Sequence, residues 1–267
     1  MTPRSTLATS APTGSRTLGQ GRSTPGLVFL LTGLLSLSAL VWPSLGLAET
    51  PRTGNLEFKV GSYEPDIDSE FSGADAGPYE TVFGEAIFPL YLVRGDYLFY
   101  QGIGALGVGA GAGWGRVSGH GKLADGTTSS DTTTFNMMPF DVGLIYEFDW
   151  LAQRWPVPFV PYGRADLTYT IWWFKNGIDE VTDYTNPATD KTSEGYGGTW
   201  GTRFTGGMRV LLDTFAPGMA HTFDVDFGVN NTYLFLEVVY SMVDDFGSDS
   251  SIHLGSTSYN AGIAFEF

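Results

Sequence analysis

Apolar and polar residues alternate with a period of two along most of the chain after residue 54. In 135–149, Met138, Phe140, Val142, Leu144, Tyr146 and Phe148 share one parity, and Asp141, Gly143, Ile145 and Glu147 the other. In 159–174, Phe159, Ala165, Leu167, Tyr169, Ile171 and Trp173 oppose Tyr162, Arg164, Asp166, Thr168 and Thr170. Phe204, Met208, Val210 and Leu212 oppose Arg203, Thr205, Gly207 and Arg209; Tyr259, Ala261, Ile263, Phe265 and Phe267 oppose Ser258, Asn260, Gly262, Ala264 and Glu266. Successive side chains of a strand point to opposite faces, so this pattern predicts strands with one apolar and one polar face. The predicted strands are 55–63, 87–100, 105–117, 135–149, 159–174, 198–212, 223–240 and 256–267, with no amphipathic helix between them.

The connections 64–86, 118–134, 175–197 and 241–255 are longer than 101–104, 150–158 and 213–222, and the two kinds alternate. An up-and-down meander would gather the long loops at one end. Two strands are less regular. Pro89 marks 87–100 as an edge or a bulge. In 223–240 the phase slips near Gly228–Asn231, since Phe223, Val225 and Phe227 take one parity and Leu234, Leu236 and Val238 the other; a bulge would restore the facing.

Periodicity alone does not say which face is outside, and the N-terminus changes the picture. Arg4, Arg16 and Arg22 are the only charges before Glu49, an apolar run spans Leu27 to Val41, and Gly46-Leu47-Ala48 offers small residues for cleavage. This is the order of a secretory signal peptide, predicted over 1–48, with a barrel domain over 49–267. Removing 1–48 takes the net charge from −15 to −18. Such a balance argues against nucleic acid, which needs a basic face. With 36 Gly, 19 Phe, 13 Tyr, 7 Trp and no Cys, the chain has no disulfide framework, no thiol nucleophile and no Cys-based metal site.

Export favours the inverted arrangement, apolar side out. Ten residues at ~3.4 Å each, tilted about 40°, rise roughly 26 Å, the height of the apolar band of an outer-membrane barrel. Trp114, Trp172, Trp173 and Trp200 lie beside the long loops, and Phe148, Phe159, Phe223 and Phe267 lie at the opposite strand ends. These are read as two aromatic girdles. Asn260-x-Gly262-x-x-Phe265-x-Phe267 resembles the C-terminal signature of bacterial outer-membrane proteins, through which the barrel-assembly machinery recognises the last strand. The predicted fold is therefore all-β: an eight-stranded antiparallel up-and-down transmembrane β-barrel, closed because hydrocarbon cannot satisfy an open strand edge. An even strand number places both termini on the periplasmic side.

Turned inward, the polar parity would carry an ion-pair network of Arg94, Asp96, Asp141, Glu147, Arg164, Asp166, Arg203, Arg209, Asp224 and Asp226, with Glu57, Lys59 and Glu266 beside them. Mixed signs are expected there, since an unpaired ion in a confined space costs several kcal/mol. Gly107, Gly109, Gly111, Gly113 and Gly115 leave one face of their strand bare, which makes room for long side chains. Loop 64–86 carries Glu64, Asp66, Asp68, Glu70, Asp75, Glu80 and Glu85 without a Lys or Arg. Asp66-x-Asp68-x-Glu70 offers carboxylates to a divalent cation, but Phe71 stands where a calcium loop needs Gly, and a solvated acidic loop is the simpler reading. No metal site and no cofactor are assigned. His253, near Ser256 and Ser258, is the one local arrangement that could serve a hydrolase.

Val82-Phe83-Gly84, Pro156–Leu167 (PVPFVPYGRADL), Gly197–Gly201 (GGTWG), Gly228–Glu237 (GVNNTYLFLE) and Gly262–Phe267 are similar to a myxobacterial-type family of small outer-membrane β-barrel proteins. The resemblance implies the outer membrane and a barrel, and it brings no site residues. The expected partners are outer-membrane lipid, lipopolysaccharide and the barrel-assembly machinery, with no nucleic acid. The expected role is non-catalytic, structural or binding through acidic exterior loops. A narrow channel or small-solute transporter and a lipid-modifying enzyme are the alternatives.

Overall fold

The structure, a computed structural model, describes residues 52–70, 77–122, 127–150, 152, 157–186, 191–215, 217–248 and 251–267. The predicted signal peptide lies outside them. Among the described residues there are ten strands: β1 (Gly54–Tyr63), β2 (Phe88–Gly102), β3 (Gly104–Lys122), β4 (Thr128–Glu147), β5 (Phe159–Lys175), β6 (Asp183–Asn186), β7 (Lys191–Glu194), β8 (Tyr196–Leu211), β9 (Asn231–Val243) and β10 (Ser256–Glu266). Two short α-helices of the described residues accompany them, α1 (Pro78–Phe83) and α2 (Pro217–Phe227).

Eight strands close into an antiparallel barrel in the order β1-β10-β9-β8-β5-β4-β3-β2, while β6 and β7 form a separate hairpin within the β5–β8 loop. Closure is complete at the seam, where Asn55 pairs with Glu266 and Ser62 with Tyr259. Pro89 pairs with Ser62 of β1, and the register with β3 begins one residue later at Leu90, so the missing N–H falls where β2 still has a free side. The irregularity in the β2–β3 register lies instead between Leu98 and Tyr100.

Three expectations are corrected. Predicted strand 223–240 is a helix followed by a strand. Phe223 and Phe227 satisfy strand alternation, but they are also four apart, and in α2 their rings meet at 5.6 Å. Gly228 takes a left-handed φ of 68° and donates to the Asp224 carbonyl, which ends the helix. The phase slip is thus a helix stop and not a bulge. Asp224 and Asp226 consequently stand on α2, outside the barrel interior, Asp226 in solvent.

The second correction concerns loop length. The predicted loop 118–134 is mostly strand, because β3 and β4 pair from Ser118↔Thr134 to Lys122↔Thr128. The Ser- and Thr-rich composition that reads as loop is also β-compatible, and the hydroxyls of Ser118 and Thr134 lie 2.9 Å apart. With α2 lengthening the β8–β9 connection, long and short connections do not alternate strictly. At the same end of the barrel the β2–β3 turn is as tight as possible, with Ile103 alone between the strands.

The third correction concerns Trp172. It points inward, donates from Nε1 to Thr199 Oγ1 at 3.0 Å and packs with Phe174. Trp114 and Trp200 do face outward, and Trp200 stacks on Tyr169 at 4.7 Å. Trp173 shares the outward parity of Leu167 and Tyr169.

Candidate functional site

The outer wall is apolar and the interior ionic. Leu236 is 69% exposed, and Val142, Leu144, Leu167, Val238 and Tyr259 are also exposed. Glu57, Arg209 and Glu266 show no exposure. A soluble barrel has these faces reversed; the arrangement seen is that of a membrane barrel.

Within the lumen the ion pairs form a central connected set around Glu57 and Arg164, with a separate pair toward the loops and a separate group at the opposite end. Glu57 on β1 accepts from Arg164 on β5 and Arg209 on β8. Glu237 on β9 accepts from Lys59 Nζ at 2.7 Å, Tyr162 OH at 2.7 Å, Asn260 Nδ2 at 2.7 Å and Arg164 at 3.2 Å. The Arg164 and Arg209 guanidiniums lie over the Tyr162 ring, 4.7 and 4.8 Å from its centroid. Toward the loops, Arg203 pairs with Asp141, which also accepts from Thr168 at 2.7 Å. Toward the opposite end, Arg52 pairs with Asp149 and Glu266, and Glu147 accepts from Arg209 and from Asn55 at 2.6 Å.

Arg94 shows why the glycine strand matters. It bonds Asp96 on its own strand at 2.7 Å and pairs with Asp166 Oδ1 on β5 at 2.9 Å, passing β3 and β4. It can do so because Gly109 pairs with Asp96 on one side and with Gly143 on the other, and Gly143 pairs with Asp166. The bare face thus accommodates side chains of the neighbouring strand β2. A Cβ at Gly109 would strike Asp96 Oδ1 and the Gly95 carbonyl. Gly109→Val is therefore expected to cost on the order of 1–3 kcal/mol through strain. Gly121→Val, where a Cβ meets nothing within 4 Å, is the neutral comparison. Urea midpoints of the two variants in detergent check this.

Of the predicted network, Arg94, Asp96, Asp141, Glu147, Arg164, Asp166, Arg203 and Arg209 lie together in the interior. Glu237, Arg52 and Asp149 were not in it. Glu237 carried a usable signal as the one charge in β9, between outward Leu236 and Val238. Arg52 precedes the first strand and has no periodicity to place it. Asn260 points inward to Glu237, Gly262 lies against the Phe235 ring, where a Cβ would come within 2.6 Å, and Phe265 takes the outward parity.

The loop end is stoppered by hydrophobic side chains. Phe88, Leu90, Leu92, Phe135, Met137 and Val243 from the strands pack with Ile67, Tyr79 and Leu254 from the loops. Asp68 holds α1 in place, its carboxylate accepting from Tyr79 N at 2.7 Å and Glu80 N at 2.8 Å. That residue is thereby a helix anchor. The Tyr79 hydroxyl donates to the Ala86 carbonyl, and burial pushes its pKa up from the ordinary 10.0. Below the stopper, the space for water centres is about 20 Å³, enough for one or two molecules. Beside it a rim cleft of about 560 Å³ is lined by Glu64, Asp66, Asp68, Glu80, Glu85, Asp244 and His253. His253 Nδ1 lies 3.3 Å from Ser69 Oγ; Ser258, one of its expected neighbours, is buried in the wall.

No family model matches the chain, and no curated protein matches it. Among solved structures it is similar to Neisserial surface protein A, at 12% identity over 80% of this chain and 96% of that one, with a TM-score of 0.41. It is also similar to Ail, the attachment invasion locus protein of Yersinia pestis, at 10% identity over 80% and 97%, with a TM-score of 0.38. The outer membrane protease OmpT from Escherichia coli gives 10% identity over 83% and 99%, with a TM-score of 0.33. The closed barrel stands on its own strand pairing.

Proposed function

We propose that the protein is an integral β-barrel of the bacterial outer membrane, with both termini periplasmic. Its role is non-catalytic, structural or binding, exerted through the acidic segments at the loop end. The observation that carries this reading is the inverted wall: apolar side chains outside a closed barrel, ions within. The partners are outer-membrane lipid and lipopolysaccharide, with the barrel-assembly machinery engaging the strand that bears Asn260, Gly262, Phe265 and Phe267. The similarity of Pro156–Leu167 and Gly228–Glu237 to the myxobacterial-type family is in keeping with this reading.

Two observations weigh against conduction, the apolar stopper and, below it, a pocket with room for only one or two waters. The chain folded in detergent is expected to migrate faster unheated than boiled, and planar bilayers containing it are expected to show no discrete conductance. Conductance steps that change in Arg203→Ala would replace this reading with the channel. A protein that stays soluble in buffer without detergent would end the membrane assignment.

A further inference from the structure

Helix α2 exposes apolar side chains at the end of the barrel opposite the stopper. Val225 and Phe227 are each 69% exposed, Phe223 is also exposed, and Phe215 stands in solvent just before the helix. Val225 is two residues from both Phe223 and Phe227, roughly half a turn, so it points away from their face. No rotation of α2 against the barrel hides both faces. With Asp224 and the exposed Asp226 on the sides between them, such a helix suits a boundary between an apolar phase and water.

The surroundings say which phase that is. Strands β8 and β9, which α2 joins, carry outward Met208 and Leu234, both exposed. The tip of the β2–β3 turn at this end is Ile103, exposed like its neighbours Phe99 and Tyr100. The apolar wall therefore continues past the strand ends here. The charge of the connection narrows the partner further. Residues 212–230 hold Asp213, Asp224 and Asp226 and no Lys or Arg, which disfavours anionic headgroups.

We propose that α2 is an interfacial foot that lies in the headgroup–acyl boundary of the periplasmic leaflet, among zwitterionic lipids. The inference rests on the membrane reading above and adds a lipid contact outside the barrel wall.

The chain has no cysteine, so single labels are unambiguous. Full-length chains with Val225→Cys on α2, or Leu236→Cys on the wall, are labelled with an environment-sensitive fluorophore. They are then folded into phosphatidylcholine vesicles carrying a nitroxide at a shallow or a deep acyl position. Heat-modifiable migration checks folding, and Thr222→Cys, at an exposed polar position of α2, serves where Val225→Cys lowers the yield. The expected result is at least twofold stronger quenching of the α2 label by the shallow than by the deep nitroxide, with the Leu236 label quenched by the deep one. Replacing half of the lipid by phosphatidylglycerol is expected to reduce quenching on α2 and to leave Leu236 unchanged. Quenching at Leu236 with an α2 label open only to aqueous iodide overturns the foot and leaves the wall intact. That outcome would leave the helix to a protein or a second copy. An unquenched Leu236 label overturns the membrane reading itself.

Discussion

Glu57→Ala is expected to cost about 3–5 kcal/mol of folding stability, the largest loss among single changes in the lumen. The carboxylate is fully buried and accepts from both Arg164 and Arg209, with Lys59 Nζ 3.7 Å away. Truncation leaves two buried guanidiniums short of a carboxylate, and their other partners, Glu237, Asp96 and Glu147, are already shared with Lys59, Arg94 and Asn55. The measurement is the urea midpoint in detergent, converted through an unchanged slope. The double variant Glu57→Ala, Arg209→Met removes charge from both sides and is expected to recover part of the loss, since coupled sites are not additive. Lys175→Ala, which breaks the open Lys175–Asp179 pair, is expected to leave the midpoint unmoved. A loss below about 1 kcal/mol for Glu57→Ala would show that water reaches the network and that the lumen is not sealed.

Leu236→Arg is expected to reduce bilayer stability by about 2–4 kcal/mol, because it puts a charge on the outer wall at the level of Ala261 and Met208. The same change on a water-facing surface would be nearly neutral. Folded fraction in phosphatidylcholine vesicles, read by heat-modifiable migration across a urea series, separates the two. A neutral outcome would contradict the membrane wall directly. Ser130→Arg, at an exposed position of the β3–β4 hairpin beyond the wall, serves as a matched charge control.

Much of this architecture is legible in the sequence because a barrel wall has two faces in different media. Each strand must alternate, and the mixed charges on one parity, with an export signal ahead of them, select the inverted facing. The interior was legible as a set of residues but not as a pattern of partners. That Arg94 reaches Asp166 over Gly109 and Gly143 depends on strand register, which alternation does not specify. The failures fall where two readings share one spacing. Phe223 and Phe227 fit a strand and a helix alike, and only the left-handed Gly228 decides between them. Trp172 and Trp173 are adjacent, so one of the two must face inward, and the loss of Trp172 from the girdle follows from the strand geometry itself.

Strand β1 is hydrogen-bonded to β10 along its length, and Arg52, just ahead of β1, reaches Glu266 at the end of β10. The first and last strands of the barrel are thus immediate neighbours in the finished cylinder. Pairing across so large a sequence separation is slow to nucleate. The wall cannot be sealed by pairing neighbours in sequence alone, and the cylinder stays open until β10 meets β1.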